Sequence, residues 1–373
     1  MVHIWVRAET KPHEHRAALT PKTAKQLIDA GFKVTVERSS QSIFTIDEYE
    51  RVGVEVVEEG SWRTAPLDAY IYGLKELPEN DDSPLPHTHI MFAHCYKRQA
   101  GWRDVLARFD KGKGTLLDLE FLQDDKGRRV AAFGYHAGFA GAALGLDVWS
   151  HQQLEGNATY GAVSHFPTDT ELIAHVRGRL EAAKAKTGQE PSLMVMGALG
   201  RCGRGAVDFA RSAGVPDERI VKWDMAETAN GGPFPEILQQ DLFVNSIYLS
   251  KPIPPFVTKE MLNGDRALRV VVDVSCDTTN PHNPIPIYDR TTSFDDPTLS
   301  DDDPSFVLSN ATPLQVVAID HLPTLLPRES SEQFAADLLP TLLELRTRDT
   351  ARVWNDAERL FREKVQEMRT GSA

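Results

Sequence analysis

The stretch from 192 to 206 combines residue types and a spacing that could bind a dinucleotide. Its apolar run Leu193–Met196 is typical of a buried parallel strand, several glycines follow it, and a helical pattern begins at Ala206. Glycines let the backbone come close to a pyrophosphate, and the start of a helix offers free N–H groups and the positive end of its dipole. In the best register, Ala198-x-Gly200-x-x-Gly203, an alanine replaces the first glycine of the usual pattern. The stretch therefore predicts a nucleotide-binding turn, with a purely structural glycine-rich turn as the alternative.

An acidic residue follows at the position that selects between NAD and NADP. The run Ile220–Trp223 predicts a second strand, and Asp224 ends it, 21 residues after Gly203. A carboxylate there accepts a hydrogen bond from a ribose 2′-hydroxyl and repels a 2′-phosphate. No arginine follows it, since the next residues are Met225 and Ala226. We therefore expect NAD as the cofactor; a solvent-facing Asp224 without a ligand is the alternative.

Ionisable residues follow several other predicted strands. Ligands of open α/β sheets bind beyond the carboxyl ends of the strands, so these positions are candidates for chemistry. They are Lys75 and Glu76 after the strand 69–72, His94 after 90–93, Glu120 after 116–119, Asp320 and His321 after 314–319, and Arg16 just after the first strand. Each could singly be an exposed lysine, a hydrogen-bonded histidine or a helix-capping acid. Their recurrence at the same kind of position predicts a functional site.

The elements that must hold these residues alternate between strands and helices. Such alternation predicts an α/β fold, here two Rossmann-like doubly wound parallel-sheet domains with an interdomain cleft. We expect a substrate-side domain over 1–133, completed by C-terminal helices over 326–373. An NAD-binding Rossmann domain is expected over 134–325.

Four local patterns refine this expectation. Thr20-Pro21 predicts the start of a helix, since threonine caps and proline suits the first helical position. The glycine- and alanine-rich stretch 134–146 predicts a close-packed crossover helix between the domains, with a flexible linker as the alternative. The acids and turn formers of 295–304 predict a surface loop. Apolar residues at helical spacing over 353–368 predict a helix that packs on the first domain.

Composition excludes several classes of function. The 373 residues carry a formal net charge of −13 with scattered lysines and arginines, so we expect no nucleic-acid partner. No apolar run approaches the ~20 residues of a membrane helix. The three cysteines, Cys95, Cys202 and Cys276, are far apart, which predicts neither a disulfide framework nor a metal site. The first residues read as a strand and not as a signal peptide. We expect a cytoplasmic monomer.

Ten short blocks distributed along the chain resemble one family. They are Arg7-Ala-Glu-Thr-Lys-Pro, Arg16-Ala-Ala-Leu-Thr-Pro, Gly73-Leu-Lys-Glu, Phe92-Ala-His-Cys-Tyr-Lys, Asp118-Leu-Glu-Phe, Gly127-Arg-Arg-Val-Ala-Ala-Phe, Gly197-Ala-Leu-Gly-Arg-Cys-Gly, Ile247-Tyr-Leu-Ser-Lys-Pro, Asp273-Val-Ser and Ile319-Asp-His-Leu-Pro. The sequence is similar to the fungal, NAD-dependent, L-lysine-forming saccharopine dehydrogenases, within the alanine dehydrogenase/transhydrogenase group. The resemblance runs nearly end to end and is weakest at 295–309 and in the last few residues.

The resemblance implies a reaction and its proton carriers. Saccharopine, NAD and water would give L-lysine, 2-oxoglutarate and NADH, the last step of the α-aminoadipate route to lysine. By resemblance, Lys75 is the base that takes the proton of the secondary amine, and His94 activates water against the imine. A free lysine titrates near ~10.4, so its environment must lower that value. We expect Glu76 and Glu120 to tune these two groups without reacting themselves.

The resemblance also implies the residues that bind the ligands. Those expected to bind substrate are Arg16, Lys97, Gln99, Arg129, Phe133 and Ser275. Those expected on the cofactor side are Arg128, Gly200, Arg201, Gly203, Asp224, Thr228, Tyr248, Val274, Asp320, His321, Leu322 and Pro323. Arginines suit the three carboxylates of saccharopine because the guanidinium binds a carboxylate through two hydrogen bonds.

Family members often have a cysteine where this sequence has Ser246, on the strand that faces Cys202. No disulfide between these positions is possible here, so we expect Cys202 to be a free thiol.

Two other functions stay open at this point. The alanine dehydrogenases and transhydrogenase-like enzymes of the same group share the arginine, lysine and histidine positions. A catalytically silent NAD-binding module would bind the cofactor without turnover. One arginine suffices for pyruvate, whereas Arg16 together with Arg129 suits a longer triacid.

Overall fold

The computed structural model describes residues 1–78, 81–156, 158–300, 303, 306, 308 and 312–371. Its strands are β1 His3–Val6, β2 Lys33–Glu37, β3 Glu55–Val57, β4 Tyr70–Tyr72, β5 Thr88–Met91, β6 Thr115–Asp118, β7 Leu193–Met196, β8 Ile220–Trp223, β9 Leu242–Asn245, β10 Val270–Asp273, β11 Leu299–Ser300 and β12 Gln315–Val317. Its helices are α1 Pro21–Asp29, α2 Ile46–Glu50, α3 Trp102–Gly112, α4 Gly134–Glu155, α5 Asp169–Thr187, α6 Arg201–Ser212, α7 Met225–Thr228, α8 Lys259–Leu262, α9 Pro327–Leu343 and α10 Arg352–Thr370. None of the helices described is long and apolar enough to span a membrane.

The chain forms two compact units. The first unit comprises Met1–Ala132 together with the chain from Pro327 onward, and the second comprises Phe133–Leu326. Each unit contains one six-stranded sheet. The expected fold class, two α/β domains with parallel sheets, is confirmed.

The sheet of the first unit is entirely parallel. Its strand order is β3-β2-β1-β4-β5-β6, the order of a doubly wound Rossmann sheet. Helix α1 begins as predicted, because the Thr20 side chain accepts a hydrogen bond from the Thr23 amide and Pro21 occupies the first turn. The doubly wound sheet and the start of α1 predicted from the sequence are therefore both present in the first unit.

Helix α10 covers part of the first unit's core. Its side chains Phe361 and Val365 lie in one apolar cluster with Leu106 and Phe109 of α3 and Leu116 of β6. The apolar spacing of 353–368 thus corresponds to a helix whose buried face belongs to the first unit.

The sheet of the second unit has the order β11-β12-β10-β9-β7-β8, with β11 antiparallel to β12 and the other pairs parallel. Its central strands are buried on both faces. In β7, Leu193 and Val195 join the cluster beneath the helices, whereas Met194 and Met196 join a cluster on the opposite face. Alternation of side chains across the strand explains this division.

Helix α4 shows why the stretch after 133 is rich in glycine. A β-carbon at Gly138 would overlap the Cys202 carbonyl oxygen, and one at Gly205 would overlap the carbonyl oxygen of Tyr135. The glycines therefore let the backbones of α4 and α6 touch. The predicted helix is present, so the flexible-linker alternative is wrong. All of α4 belongs to the second unit, and the helix begins directly after the boundary between the two units.

The surface loop predicted over 295–304 is partly wrong. Pro297, Thr298 and Leu299 are buried, and β11 pairs with β12 through Leu299 and Ser300. Leu299, an apolar residue among the acids, pairs with Val316 of β12 at the edge of the sheet. Only the tertiary structure brings these two residues together. Of the predicted loop, Asp301, Asp302 and Pro304 lie outside the described residues.

Candidate active site

The strand order of the first sheet reverses between β1 and β4. At such a switch point the connections leave in opposite directions and open a crevice at the carboxyl ends of the strands. The segment after β1 carries Arg7, Glu9, Glu14 and Arg16, and the turn after β4 carries Lys75. Topology alone therefore gathers these charged residues at one edge of the first unit.

Lys75 is buried, with 8 % of its surface exposed. Burial is the main reason that the pKa of its ammonium is lowered, and the positive charges of Arg16 and Lys11 lower it further. The negative charge of Glu76 opposes them without reversing the shift. At neutral pH the free amine is therefore more populated than in an exposed lysine, which improves Lys75 as a general base.

His94 is tied to Glu76. The His94 Nδ1 lies 3.1 Å from Glu76 Oε2, and the Lys11 ammonium lies 3.1 Å from Glu76 Oε1. Burial favours the protonated acid, but the bond from His94 and the charge of Lys75 outweigh it and hold the pKa of Glu76 well below its usual range. An ionised carboxylate only accepts, so Nδ1 carries the hydrogen and Nε2 is the nitrogen left for chemistry.

The conformation of His94 is also unusual. Its φ is 49°, in the left-handed region, and its ring stacks on Phe92 with ring centres 6.3 Å apart. A residue other than glycine in this region is held there by its surroundings. The bond to Glu76 and the Phe92 ring are contacts that hold the imidazole.

A second cluster lies at the carboxyl end of β6. Glu120 Oε1 accepts from Lys97 Nζ and from Arg129 NH2, each at 2.7 Å. Burial opposes its ionisation, but the Lys97 bond and the two charges outweigh it and lower its pKa. Asp118 beside it is buried, accepts from the amides of Glu120 and Ala93, and has a pKa raised by burial to about 7. Asp118 thus links this cluster to the segment that carries His94.

Two further predicted arginines, besides Arg129, have carboxylate partners within the first unit. Arg16 makes a two-pronged contact with buried Glu14, at 2.7 Å from Nε to Oε1 and 2.5 Å from NH2 to Oε2. Arg128 donates from Nε at 3.0 Å and from NH2 at 2.9 Å to one oxygen of Asp124, Oδ2. The role of Glu14 could not be predicted from the sequence, because there it looks like any exposed acid. Only the fold shows that it is buried beside Arg16.

The remaining predicted substrate residues are divided between the units. Gln99 accepts from the Lys97 amide at 3.0 Å through its side-chain oxygen in the first unit. Phe133 is the residue before the first turn of α4, and Ser275 follows β10, both in the second unit. The first unit brings Lys75, Glu76, His94, Lys97, Glu120 and Arg129 into one linked set of charges.

The second sheet has its own switch point, between β7 and β9. The glycine turn follows β7 and leads into α6, which starts at Arg201 after Gly200. A β-carbon at Gly203 would overlap the Gly197 carbonyl oxygen, and one at Gly200 would lie 3.2 Å from it. Glycine at these two positions lets the turn fold tightly onto the start of α6, whose N–H groups can bind a pyrophosphate, and so the residues present fit a dinucleotide.

Asp224 lies at the end of β8 beside this turn. Its Oδ2 accepts from the Leu199 amide and its Oδ1 from the Met225 amide, each at 2.8 Å. The Thr228 hydroxyl donates to the Asp224 carbonyl oxygen at 2.9 Å. Each carboxylate oxygen can accept a second bond, so the contact with Leu199 leaves room for a ribose hydroxyl.

Buried hydrogen bonds fix the ends of β9 and β10. Asp273 accepts from the Asn245 side chain at 3.0 Å, from the Ser275 amide at 3.1 Å and from the Tyr288 hydroxyl at 2.7 Å. Burial raises the pKa of Asp273 against these donors. The network orients Val274 and Ser275, and sequence reasoning did not find Asn245 or Tyr288 because their partners are distant along the chain.

The other predicted cofactor residues also follow strands of the second sheet. Tyr248 is half-exposed and its hydroxyl lies 3.4 Å from Asp277 Oδ2. His321 Nδ1 contacts the neighbouring Asp320 carboxylate. Leu322 and Pro323 begin a short 3₁₀ helix, and Leu322 is buried in the hydrophobic core.

The family described as alanine dehydrogenase/PNT, N-terminal domain, matches residues 5–140. A protein of Schizosaccharomyces pombe named saccharopine dehydrogenase [NAD(+), L-lysine-forming] is 58% identical over 98% of this chain and 99% of its own length. A Candida albicans protein of the same name is 58% identical over 96% of both chains.

The chain belongs to the saccharopine dehydrogenase family. A solved L-alanine dehydrogenase covers 100% of both chains with a TM-score of 0.66 at 15% identity, which shows the shared fold. This saccharopine dehydrogenase family member thus shares its fold with the solved L-alanine dehydrogenase. Its high sequence identity, 58%, is to the relatives named saccharopine dehydrogenase.

Proposed function

We propose that the chain is an NAD-dependent saccharopine dehydrogenase that forms L-lysine and 2-oxoglutarate, the last step of lysine biosynthesis by the α-aminoadipate route. The observation that carries this proposal is the buried Lys75 amine with a lowered pKa, next to the ionised Glu76 that holds His94. A secondary amine must lose its proton before an imine can form, and water must then be activated. An amine and an imidazole supply these two functions.

Lys75 takes the proton of the secondary amine in this proposal. The same burial that lowers its pKa disfavours its ammonium form, so Lys75 returns the proton to the lysine amine that leaves when the carbon–nitrogen bond of the carbinolamine breaks. His94 acts through Nε2, because Nδ1 is occupied by Glu76, and removes a proton from the water that attacks the imine. Glu76 keeps this tautomer and stabilises the imidazolium that results.

Arginines bind the substrate carboxylates in this proposal. Arg16 and Arg129 have neighbouring acids, Glu14 and Glu120, which keep each guanidinium oriented before substrate arrives. Guanidinium groups can bind a further carboxylate through their remaining N–H groups. Lys97, Gln99, Phe133 and Ser275 complete the proposed substrate contacts.

Most of the residues that bind the cofactor in this proposal belong to the second unit. The chemistry that bound NAD would supply there is a hydride acceptor for the α-carbon of the glutamate half of saccharopine. The glycine turn and the first turn of α6, with Gly200, Arg201 and Gly203, hold the pyrophosphate, and Asp224 with Thr228 binds the adenosine ribose. Arg128, Tyr248, Val274 and the Asp320–Pro323 turn supply the other proposed contacts. We also propose that the enzyme is a cytoplasmic monomer.

The test is turnover. Purified protein with saccharopine and NAD should produce NADH, followed by its absorbance, together with lysine and 2-oxoglutarate. Alanine with NAD is the control substrate. Turnover of alanine without turnover of saccharopine would replace the proposal with an alanine dehydrogenase. Binding of NAD without turnover of either amino acid would indicate a non-catalytic module.

Replacing Asp224 with alanine should weaken NAD binding about tenfold or more, because a charged acceptor for the ribose hydroxyl is lost. The KM for saccharopine should change little. Asp224→Asn is the matched control, since it keeps an acceptor oxygen and the backbone contact to Leu199 and should lose less. The measurement is NAD binding by calorimetry together with both KM values. Equal weakening of NAD and saccharopine would count against the ribose contact.

A further inference from the structure

Two buried residues after β1, Arg7 and Glu9, form hydrogen bonds with the backbone of Lys75. The Glu9 carboxylate accepts from the amides of Leu74 at 2.6 Å and Lys75 at 2.9 Å. The Arg7 guanidinium donates through NH2 to the Lys75 carbonyl oxygen. The peptide groups on both sides of the Lys75 α-carbon are therefore held by side chains of a single neighbouring segment.

The same two side chains hold each other. Arg7 NH1 lies 3.5 Å from Glu9 Oε2, with side chains 2 % and 7 % exposed. Arg7 NH1 also donates to the Ala8 carbonyl oxygen at 3.2 Å. Burial raises the pKa of Glu9, although Arg7 and the two amides oppose this. Burying such a pair costs free energy that apolar residues would not cost, so stability alone is a poor reason for its presence.

Gly73 leaves the space that Arg7 fills. A β-carbon at Gly73 would lie 2.6 Å from Arg7 Cζ and 2.7 Å from NH2. The other side of the turn is fixed to β5, where the Gly73 amide donates to Ile90 at 3.0 Å and the Leu74 carbonyl oxygen accepts from Phe92 at 3.0 Å. The turn after β4 is thus held by the segment that follows β1 and by β5. Glycine is needed at position 73 because a β-carbon there would overlap the Arg7 guanidinium.

We propose that Arg7 and Glu9 are positioning residues for Lys75, which fix the backbone of the proposed base so that its amine is presented in one place. This rests on the proposed function, in which Lys75 accepts the proton of the substrate amine. A base must lie within hydrogen-bond reach of its proton, and a displacement of about 1 Å can cost roughly 10²-fold in rate. Neither residue contacts the reacting atoms in this role.

The test compares Glu9→Gln and Gly73→Ala with the wild type. Glutamine keeps the shape of Glu9 but can accept only one of the two amides through its oxygen, and alanine at 73 displaces the Arg7 guanidinium from the opposite side. Both should lower kcat for saccharopine oxidation about tenfold. Both should also raise the solvent deuterium isotope effect on kcat, because proton transfer to Lys75 becomes slower. A smaller folded fraction would lower kcat without changing the isotope effect.

The matched control is Asp241→Asn in the second unit. Asp241 also uses its carboxylate to accept a backbone amide, that of Ser192 at 2.9 Å, and it is not among the proposed site residues. This variant should keep the wild-type isotope effect and a kcat within about twofold of wild type. Arg7→Lys, which keeps the charge but has only one donor group, should fall between Gly73→Ala and the wild type.

A second measurement does not need turnover. Acylation of Lys75 by an N-hydroxysuccinimide ester, followed by peptide mass spectrometry, should be several-fold faster in Glu9→Gln and Gly73→Ala, while exposed lysines react as in the wild type. Inactivity of the wild type with saccharopine would refute the proposed function, and this measurement would still test positioning. Wild-type isotope effects together with wild-type acylation rates in both variants would overturn the inference.

Discussion

Lys75→Met should lower kcat/KM for saccharopine oxidation by about 10²-fold or more. Methionine nearly matches the length of the lysine side chain and suits a buried site, so the fold should tolerate it, but it cannot accept a proton. The NAD affinity should stay close to that of the wild type, because the proposed cofactor residues belong mainly to the second unit. The measurement is the initial rate of NADH formation at varied saccharopine.

The pH dependence gives this prediction a second readout. Only the neutral amine can act as a base, so wild-type kcat/KM should rise with pH through the pKa of Lys75. Burial and Arg16 lower that pKa, so the rise should occur at a lower pH than for a free lysine. The Met variant should lose this acid limb. Lys22→Met, at an exposed position of α1, should behave as the wild type. A loss below about twofold for Lys75→Met would remove the proposed role.

His94→Gln should also lower kcat by about 10²-fold or more. Glutamine can still donate a hydrogen bond towards Glu76, so the contact at 3.1 Å has a substitute. It cannot take a proton from water, and hydrolysis of the imine should therefore slow. Single-turnover experiments should show a rapid burst of NADH followed by slow release of lysine.

His165→Gln is the control for this variant. His165 belongs to the second unit, where it lines a pocket with residues of α4 and α5 and with none of the proposed site residues, and it should be replaceable with little change in kcat. Equal rates of NADH and lysine formation in His94→Gln, close to those of the wild type, would assign water activation to another group.

Much of the fold follows from local rules. The run Leu193–Met196, the glycines after it and Asp224 predict the β7–α6–β8 unit, because backbone approach and helix geometry require those residue types at those positions. The cap at Thr20 is equally local. The burial of Leu299 could not be predicted in this way. It depends on pairing with the strand Gln315–Val317, and no residue near Leu299 in the sequence indicates that partner.

The candidate site divides in the same way. Strand ends predict that Lys75, His94 and Glu120 lie at a functional edge, since parallel strands present their carboxyl ends together. The partners of these groups could not be predicted. Glu14, Asp118 and Glu9 act through burial and through contacts that only the strand order creates. The lowering of the Lys75 pKa likewise depends mainly on burial of the side chain, which could not be predicted from the sequence.

The first unit is built from two segments that lie far apart in the chain. Phe361 and Val365 of α10 close an apolar cluster formed by α3 and β6, more than 230 residues earlier in the chain. The second unit takes all of its residues from one continuous segment. During synthesis the second unit can therefore fold as soon as its segment has left the ribosome. The apolar face of the first unit stays uncovered until α10 has been made, and so ribosome-bound chains that stop before α10 should be the ones that chaperones recognise.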